Sequence, residues 1–259
     1  RPLLGERVAA YTTLAVVTFD DKKSAQYGFY RQADRAFTRE GLIAALPPAL
    51  EVFQFGAFCP IEPEDAEAWL AVAAEAIKRG ATVTMDLNVR PSLVSDFAGY
   101  KGRLNRCIDI SHVVKMSIED IATLEQNRAV RATELTPADV EALVTKYVAD
   151  FLARPTVELV VITFGDEGSR AFTKSGSAKQ GVHKAVPFGD TVGAGDTLMA
   201  AVLTLLNDKG NLKPGKLRAM DDAALSQMLR FGAVAAGLNC QFVGCHPPTR
   251  AEVDAVLAG

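Results

Sequence analysis

The 259-residue sequence predicts an α/β fold, a doubly wound and mostly parallel sheet with helices on both faces. Strand-like segments rich in Val, Ile and Leu alternate along the chain with segments whose apolar residues recur at helical spacing. Residues 157–164 are almost continuously apolar, as expected of a parallel strand covered by helices on both sides. No internal repeat or low-complexity linker interrupts this pattern. We therefore expect residues 1–259 to form one domain.

The predicted elements begin with a small β hairpin, or lid, over residues 8–30. Its two strands, residues 8–19 and 24–30, flank a charged interruption at 20–23. A short buried strand follows at 50–55. A helix with one buried face is then predicted at 64–79, where Gly80 stands in the position of a C-terminal stop.

The same alternation predicts the rest of the chain. Strands are expected at residues 81–87, 112–115 and 157–164. Thr136 is a suitable N-cap and Pro137 suits the first position of a helix that runs to about Leu152. Further helices are expected from Ile118, over 194–207 and over 221–239.

Composition excludes several classes of protein. The chain has 28 Lys and Arg against 31 Asp and Glu, a net charge of −3, so it lacks the basic surface typical of proteins that bind nucleic acid or anionic membranes. No apolar run is long enough to span a bilayer. The four cysteines are too few and too scattered for a disulfide scaffold or a zinc site. These features predict a soluble cytoplasmic protein.

The most informative stretch for chemistry is residues 190–196, Asp-Thr-Val-Gly-Ala-Gly-Asp, directly before an apolar helical run. Gly193 and Gly195 flank Ala194 where the helix begins, so backbone N–H groups there could approach a phosphate closely. Asp196 is then a carboxylate beside an anion site, suited to accept a proton from an attacking hydroxyl. The alternative is a tight turn in which Asp196 only complements the helix dipole. The combination of residues favours the functional interpretation.

Residues 190–196 resemble the second signature of the ribokinase-like carbohydrate kinases, also called the phosphofructokinase-B family. Other segments resemble the family in the same order along the chain: Phe29-Tyr30-Arg31 with Ala33-Asp34, the Asp-x-Asn-x-Arg segment at 86–90, and residues 114–120, 163–168 and 235–248. Ser117 and the Phe29-Tyr30-Arg31 segment are most similar to bacterial fructokinases.

The resemblance implies transfer of phosphate from ATP to a sugar hydroxyl, with fructose the first candidate substrate. Alternatives within the family are 2-keto-3-deoxygluconate and ribose, and a non-catalytic kinase-like binding or regulatory protein is a further possibility. Asp196 would be the catalytic base, and the amides of the anion loop (Gly193, Ala194 and Gly195) would form the anion hole. The chain has no Gly-x-x-x-x-Gly-Lys-Ser/Thr motif, which favours a phosphate site at a helix terminus.

The resemblance also implies a wider set of site residues. The substrate-binding residues are expected to be Arg31, Arg90 and Asp196. Contacts with ATP are expected from Lys115, Ser117, Thr163, Gly165, Gly168, Gly195 and Asn239. Asp120 would hold Mg²⁺ through water, and Asp190 would serve a K⁺ site. From the residues alone, the two arginines could instead form surface ion pairs, Lys115 could be a solvated strand end, and Gly165 could only make a turn.

Members of the family begin well before the hairpin, so the chain resembles the family pattern without roughly its first quarter to third. We expect it to be part of a longer native chain, or to be covered by a partner. The hairpin could cover the sugar site or pair with a second subunit in a homodimer.

Overall fold

The computed structural model describes residues 7–19, 25–56 and 58–259. The predicted hairpin is confirmed: β1 (Leu14–Phe19) and β2 (Ala25–Tyr30) pair antiparallel, with Leu14 opposite Tyr30. β1 begins at Leu14 and not at residue 8. The reason is that the Thr13 side chain is hydrogen-bonded to Asp34 and accepts the Gln32 N–H, which ties the chain before β1 to the segment after β2. The predicted turn at 20–23 lies outside the described residues.

A six-stranded mixed sheet forms the centre of the molecule. Its order is β3-β4-β5-β6-β7-β8. The first four strands are parallel, and the last two are antiparallel to their neighbours. The strands are β3 (Val52–Gly56), β4 (Thr82–Asp86), β5 (Val113–Ser117), β6 (Leu159–Thr163), β7 (Ser169–Phe172) and β8 (Ser177–Gln180).

Helices cover both faces of this sheet, as predicted. One face packs against α2 to α5, and the other packs against α6 to α8. The helices are α1 (Arg39–Ala45), α2 (Pro63–Lys78), α3 (Phe97–Asp109), α4 (Ile118–Gln126), α5 (Pro137–Ala153), α6 (Ala194–Asp208), α7 (Asp222–Asn239) and α8 (Arg250–Ala258). Of these elements, α1, α3, α8, β7 and β8 were not predicted.

The alternation of side chains along the strands explains why both faces are apolar. In β6, Val160 and Ile162 join the core under α2 to α5, whereas Leu159 and Val161 join the core under α6 to α8. All four side chains are fully buried. A strand that is buried on both faces needs apolar residues at every position, which is the pattern that predicted it. Within the described ranges, no helix is both long and apolar enough to cross a bilayer.

A buried carboxylate secures the connection between α6 and α7. Glu158, which is 3% exposed, precedes β6 and accepts hydrogen bonds from the backbone N–H of Gly215 (2.7 and 2.9 Å) and of Arg218 (3.3 Å). The Arg218 guanidinium donates to the same carboxylate at 3.1 Å. These bonds stabilise a buried carboxylate that would be costly without partners, and they fix the largely exposed turn at 215–218 against β6.

We predict that Glu158→Gln lowers the free energy of unfolding by about 2 kcal/mol, because a neutral amide replaces the charged acceptor of these bonds. Urea denaturation measures the change. Glu141→Gln is the matched control, since Glu141 pairs with Arg170 but its side chain is 60% exposed, and it should change stability far less. Equal losses in the two variants would contradict the role assigned to Glu158.

Candidate active site

The carboxyl ends of the four parallel strands meet at one edge of the sheet, where ligands gather in open α/β folds. Gly56 is the register partner of Asp86, Asp86 of Lys115, and Ser117 of Thr163. Sequence separation is large between these residues, but the register brings them side by side. Three of the predicted site residues, Lys115, Ser117 and Thr163, therefore lie on neighbouring strands.

The anion loop begins α6, as predicted. Gly193 has a φ of +76°, a left-handed conformation that favours glycine, and it caps the helix without any side-chain hydrogen bond. A Cβ at Gly193 would also lie 2.5 Å from Cys245 Sγ, so the position has no room for a side chain. The Ala194 N–H donates to the Thr191 carbonyl (3.1 Å) and the Thr197 N–H to the Gly193 carbonyl (2.8 Å). Ala194's amide is thus already engaged in the turn, whereas Gly195 follows it in the uncapped first turn.

Lys115 lies against the anion loop. An alanine at position 195 would place its Cβ 3.2 Å from Lys115 Nζ. The ammonium is buried and pairs with Asp86, whose Oδ2 is 2.6 Å from Nζ. Lys115 is therefore not a solvated strand end. It adds a positive charge to the positive end of α6, an arrangement that favours a bound anion.

Asp86 is the acidic partner in this cluster. Burial raises the pKa of Asp86, Lys115 opposes that rise, and the negative charges of Asp120 and Asp196 add to it. Asp196 itself is exposed in the first turn of α6, beside the anion loop. Asp196, which could accept a proton, is thus exposed to solvent, whereas Asp86, which pairs with Lys115, is buried.

Asp120 and Ser117 form the start of α4. The Ser117 Oγ accepts the Asp120 N–H (3.0 Å), and the Asp120 carboxylate accepts the Ser117 N–H (2.7 Å) in return. The other Asp120 oxygen accepts the Val89 N–H at 2.7 Å. Asp120 is buried, and its hydrogen bonds connect α4 to the loop that follows β4.

Arg90 lines a cavity of 770 Å³ between that loop and the hairpin. The other lining residues are Val16, Thr18, Gly28, Tyr30, Pro91, Ser92, Phe97, Arg128 and Ala129. Arg31 is not among them. Its guanidinium pairs with Asp34 at 2.6 Å and with Asp65 at 3.8 Å, and it lies over the Phe58 ring. The two arginines predicted to bind substrate are thus in different surroundings.

The predicted nucleotide residues on β6 and after it surround a tight turn. Thr163 ends β6, and Gly165 and Gly168 have φ angles of +58° and +95°. A Cβ at Gly168 would lie 2.0 Å from the Gln180 carbonyl oxygen, whereas Gly165 is exposed and has open space around it. Gly168 is required by close backbone packing, and only Gly165 leaves its backbone accessible to a ligand.

Asp190 and Asn239 join residues 190–192, directly before the anion loop, to residues 239–246. Asp190 accepts the N–H groups of Val192 and Gly244, both at 2.8 Å. The Asn239 amide donates to the Val192 carbonyl (2.8 Å), and its oxygen accepts the His246 N–H (2.9 Å). Asn239 is fully buried, so its polar atoms serve the protein's own backbone.

Two residues near the site were not predicted to belong to it. Asp86 was visible only as part of the Asp-x-Asn-x-Arg segment. A carboxylate at the end of an otherwise apolar strand is the signal that could have identified it, because buried charges need a partner. Arg128 carried no such signal, since it lies in a loop after α4 and joins the cavity only through the fold.

Comparison with known proteins identifies the family and supports the fold. The family model described as pfkB family carbohydrate kinase matches residues 8–252. Fructokinase-2 of Solanum lycopersicum is 26% identical over 254 residues, covering 96% of this chain and 71% of the relative. The structure of a Xylella fastidiosa fructokinase with bound ATP has a TM-score of 0.77 and 23% identity, covering 97% of this chain and 75% of that one.

A double mutant of Vibrio cholerae O395 fructokinase, solved with fructose, ADP and a potassium ion, has a TM-score of 0.72 and 20% identity, covering 96% of this chain and 74% of that one. At these identities the structures support the fold, and the family model spans most of the chain. The chain therefore belongs to the pfkB family carbohydrate kinases, enzymes that phosphorylate sugars with ATP.

Proposed function

We propose that the chain transfers the γ-phosphoryl group of ATP to a hydroxyl of fructose. The observation that carries the proposal is the placement of Lys115 Nζ against Gly195, one residue before the Asp196 carboxylate. A cation, a helix N-terminus and a base then lie together, as in-line phosphoryl transfer requires. The relatives named fructokinase support fructose as the acceptor.

In the proposed reaction, the sugar hydroxyl oxygen forms a bond to the γ-phosphorus while the bond from that phosphorus to the β–γ bridging oxygen breaks. The hydroxyl proton passes to Asp196, and ADP leaves with the electron pair of the broken bond. Gly195 and Lys115 hold the oxygens of the migrating group, whose charge spreads in the transition state. The Gly193 and Gly195 amides are proposed to form the anion hole, whereas the Ala194 N–H already donates to the Thr191 carbonyl within the turn.

The residues near the site fit Mg²⁺ only through water. Both Asp120 oxygens already accept backbone N–H groups, so the carboxylate is suited to hold a water of the ion and not the ion itself. Mg²⁺ bound to ATP would neutralise charge on its phosphates. Asp190 likewise has both oxygens in backbone hydrogen bonds, so its proposed role is to orient the loops around a K⁺ site and not to hold the ion itself.

We assign the nucleotide to the side of the site formed by Ser117, Thr163 and Gly165. The exposed backbone of Gly165 at the carboxyl end of β6 supports this assignment. Gly168 supports the turn, and Asn239 holds the neighbouring loops in place, so both contribute indirectly. Arg31 is proposed to orient the base of the hairpin, because its guanidinium pairs both with Asp34, just after β2, and with Asp65 on α2.

A sugar acid such as 2-keto-3-deoxygluconate is the second candidate acceptor. Arg90 and Arg128 both line the cavity under the hairpin, although Arg128 is also paired with Glu134 at 2.9 Å, which neutralises part of its charge. Two guanidinium groups favour a carboxylate. Ribose, and a non-catalytic binding role, have no such observation in their favour.

The hairpin supports either of two roles. Val16 and Tyr30 line the cavity, which suits a cover over the sugar. Leu14 and Val17 are exposed apolar side chains on the same hairpin, which suits pairing with a second copy in a homodimer. We also propose a cytoplasmic location, because ATP is abundant in the cytoplasm.

We predict that Asp196→Asn lowers kcat by a factor of about 10² to 10⁴, because an amide cannot accept the proton. The dissociation constant for ATP should change less than about threefold. Coupled ADP release over a panel of fructose, ribose and 2-keto-3-deoxygluconate measures turnover, and calorimetry measures ATP binding. Glu64→Gln, which removes an exposed first-turn carboxylate from α2, is the control. An Asp196→Asn protein with a near-wild-type rate would show that Asp196 is not the base.

Gly195→Ala should separate activity from stability. Its Cβ would lie 3.2 Å from Lys115 Nζ and shift the ammonium by a few tenths of an ångström, so we expect kcat to fall about 10- to 100-fold. Alanine is a better helix former than glycine, and the free energy of unfolding should therefore stay the same or rise by up to about 1 kcal/mol. Thermal unfolding and turnover of one preparation test both. Loss of stability in parallel with activity would contradict the prediction.

Arg90→Met is expected to raise the KM for the sugar about tenfold or more while leaving the ATP dissociation constant unchanged, because the lost contact is charged and faces the cavity. The matched control is Arg106→Met, which removes an exposed guanidinium paired with Glu67. A larger effect on the sugar acid than on fructose would favour the second candidate. An unchanged KM for every sugar would remove Arg90 from the substrate site.

A further inference from the structure

The Asp86–Lys115 ion pair is the most buried pair of opposite charges beside the anion loop. Asp86 is 7% exposed and Lys115 is 5% exposed, and the two are register partners on β4 and β5. Removing two charges from water is costly, and apolar residues of similar size often stabilise a core equally well. Sheet packing alone therefore does not account for the pair.

The position of the ammonium is also unfavourable for folding. Lys115 Nζ lies against Gly195 in the first turn of α6, where the helix dipole is positive. Two positive potentials repel each other unless an anion binds between them. The Asp86 carboxylate accepts a hydrogen bond from the ammonium at 2.6 Å and is the group that keeps it there when no anion is bound.

Asp86 holds Lys115 by one oxygen only. Oδ2 accepts from Nζ at 2.6 Å, and Oδ1 has no hydrogen-bond partner within the described ranges. An ammonium has three N–H donors, so this single bond leaves donors for a phosphate. The Asp86 backbone is itself immobilised, because Gly56 approaches it so closely that a Cβ there would lie 2.2 Å from the Asp86 carbonyl oxygen.

We propose that Asp86 is a positioning residue for phosphoryl transfer, whose carboxylate holds the Lys115 ammonium over Gly195 so that it meets the migrating group. The proposal rests on the proposed function, in which Lys115 contacts the phosphates. Asp86 acts only through Lys115 and touches neither ATP nor sugar. It follows that replacing Asp86 should have little effect on kcat in a chain that lacks Lys115.

A double-mutant cycle tests this dependence. The four proteins are the wild type, Asp86→Asn, Lys115→Met and the double variant. The Asp86→Asn change should lower kcat about tenfold when Lys115 is present and less than about twofold when methionine replaces it. Thermal unfolding is measured for all four. If D86N does not fold, Asp86→Ser, which is smaller and keeps an acceptor, takes its place in the cycle.

Glu125→Gln is the matched control, because Glu125 also pairs with a lysine, Lys146, at 2.8 Å but on the exposed surface. It should keep kcat within about twofold of the wild type. If D86N lowers kcat by the same factor with Lys115 and with methionine at position 115, Asp86 has only a structural role. D86N with wild-type kcat would likewise overturn the proposal.

The same four proteins are titrated with ATP by calorimetry, which separates this proposal from the proposed function. D86N should weaken ATP binding about threefold or more only when Lys115 is present. A wild type that binds ATP but phosphorylates none of the sugars would refute the proposed function, and the binding cycle would still decide the role of Asp86. If the wild type phosphorylates a sugar but the effects of the two substitutions are additive, the Asp86 proposal alone is refuted. A wild type that binds no ATP would refute both the proposed function and the Asp86 proposal.

Discussion

Parallel pairing of β3 to β6 is the constraint on which the rest of the molecule depends. Parallel strands deliver all their carboxyl ends to one edge, and their register decides which residues become neighbours there. Asp86 and Lys115 are direct register partners, so a shift of one strand by a single residue would place their side chains on opposite faces of the sheet. The apolar faces on either side of the sheet prevent such a shift, because it would expose the core.

Charge in this carbohydrate kinase is arranged locally and not globally. The chain carries a net charge of −3, yet the carboxyl edge concentrates a helix N-terminus and a buried lysine at one point. Three carboxylates, those of Asp86, Asp120 and Asp196, surround this positive centre at different depths. Burial distinguishes these carboxylates. The buried Asp86 and Asp120 bind Lys115 and backbone N–H groups, whereas the exposed Asp196 is accessible from solvent.

Much of this arrangement follows from patterns along the chain, and the rest depends on contacts between distant segments. The continuous apolar run of β6, Gly80 after α2 and the N-cap at Thr136 were sufficient to place their elements within two residues. β7 and β8 were missed because each has only four residues and β8 is largely exposed. α3 was missed because Gly99 and Gly102 interrupt a helical pattern. Lys115 was predicted for the site, but its contact with Asp86 was not, since strand register is a property of the folded sheet.

The hydrogen bonds of Asp190 and Asn239 have a consequence for how ligands would be recognised. They join residues 190–192, directly before the anion loop, to residues 239–246, although about fifty residues of chain separate the two segments. The Gly189 and Asp190 N–H groups extend the same connection to the carbonyls of Cys240 and Phe242. Conformational freedom of both segments is therefore lost during folding and not when an anion binds. The segment that leads into the anion loop is preorganised, so a ligand bound beside it would not have to order it.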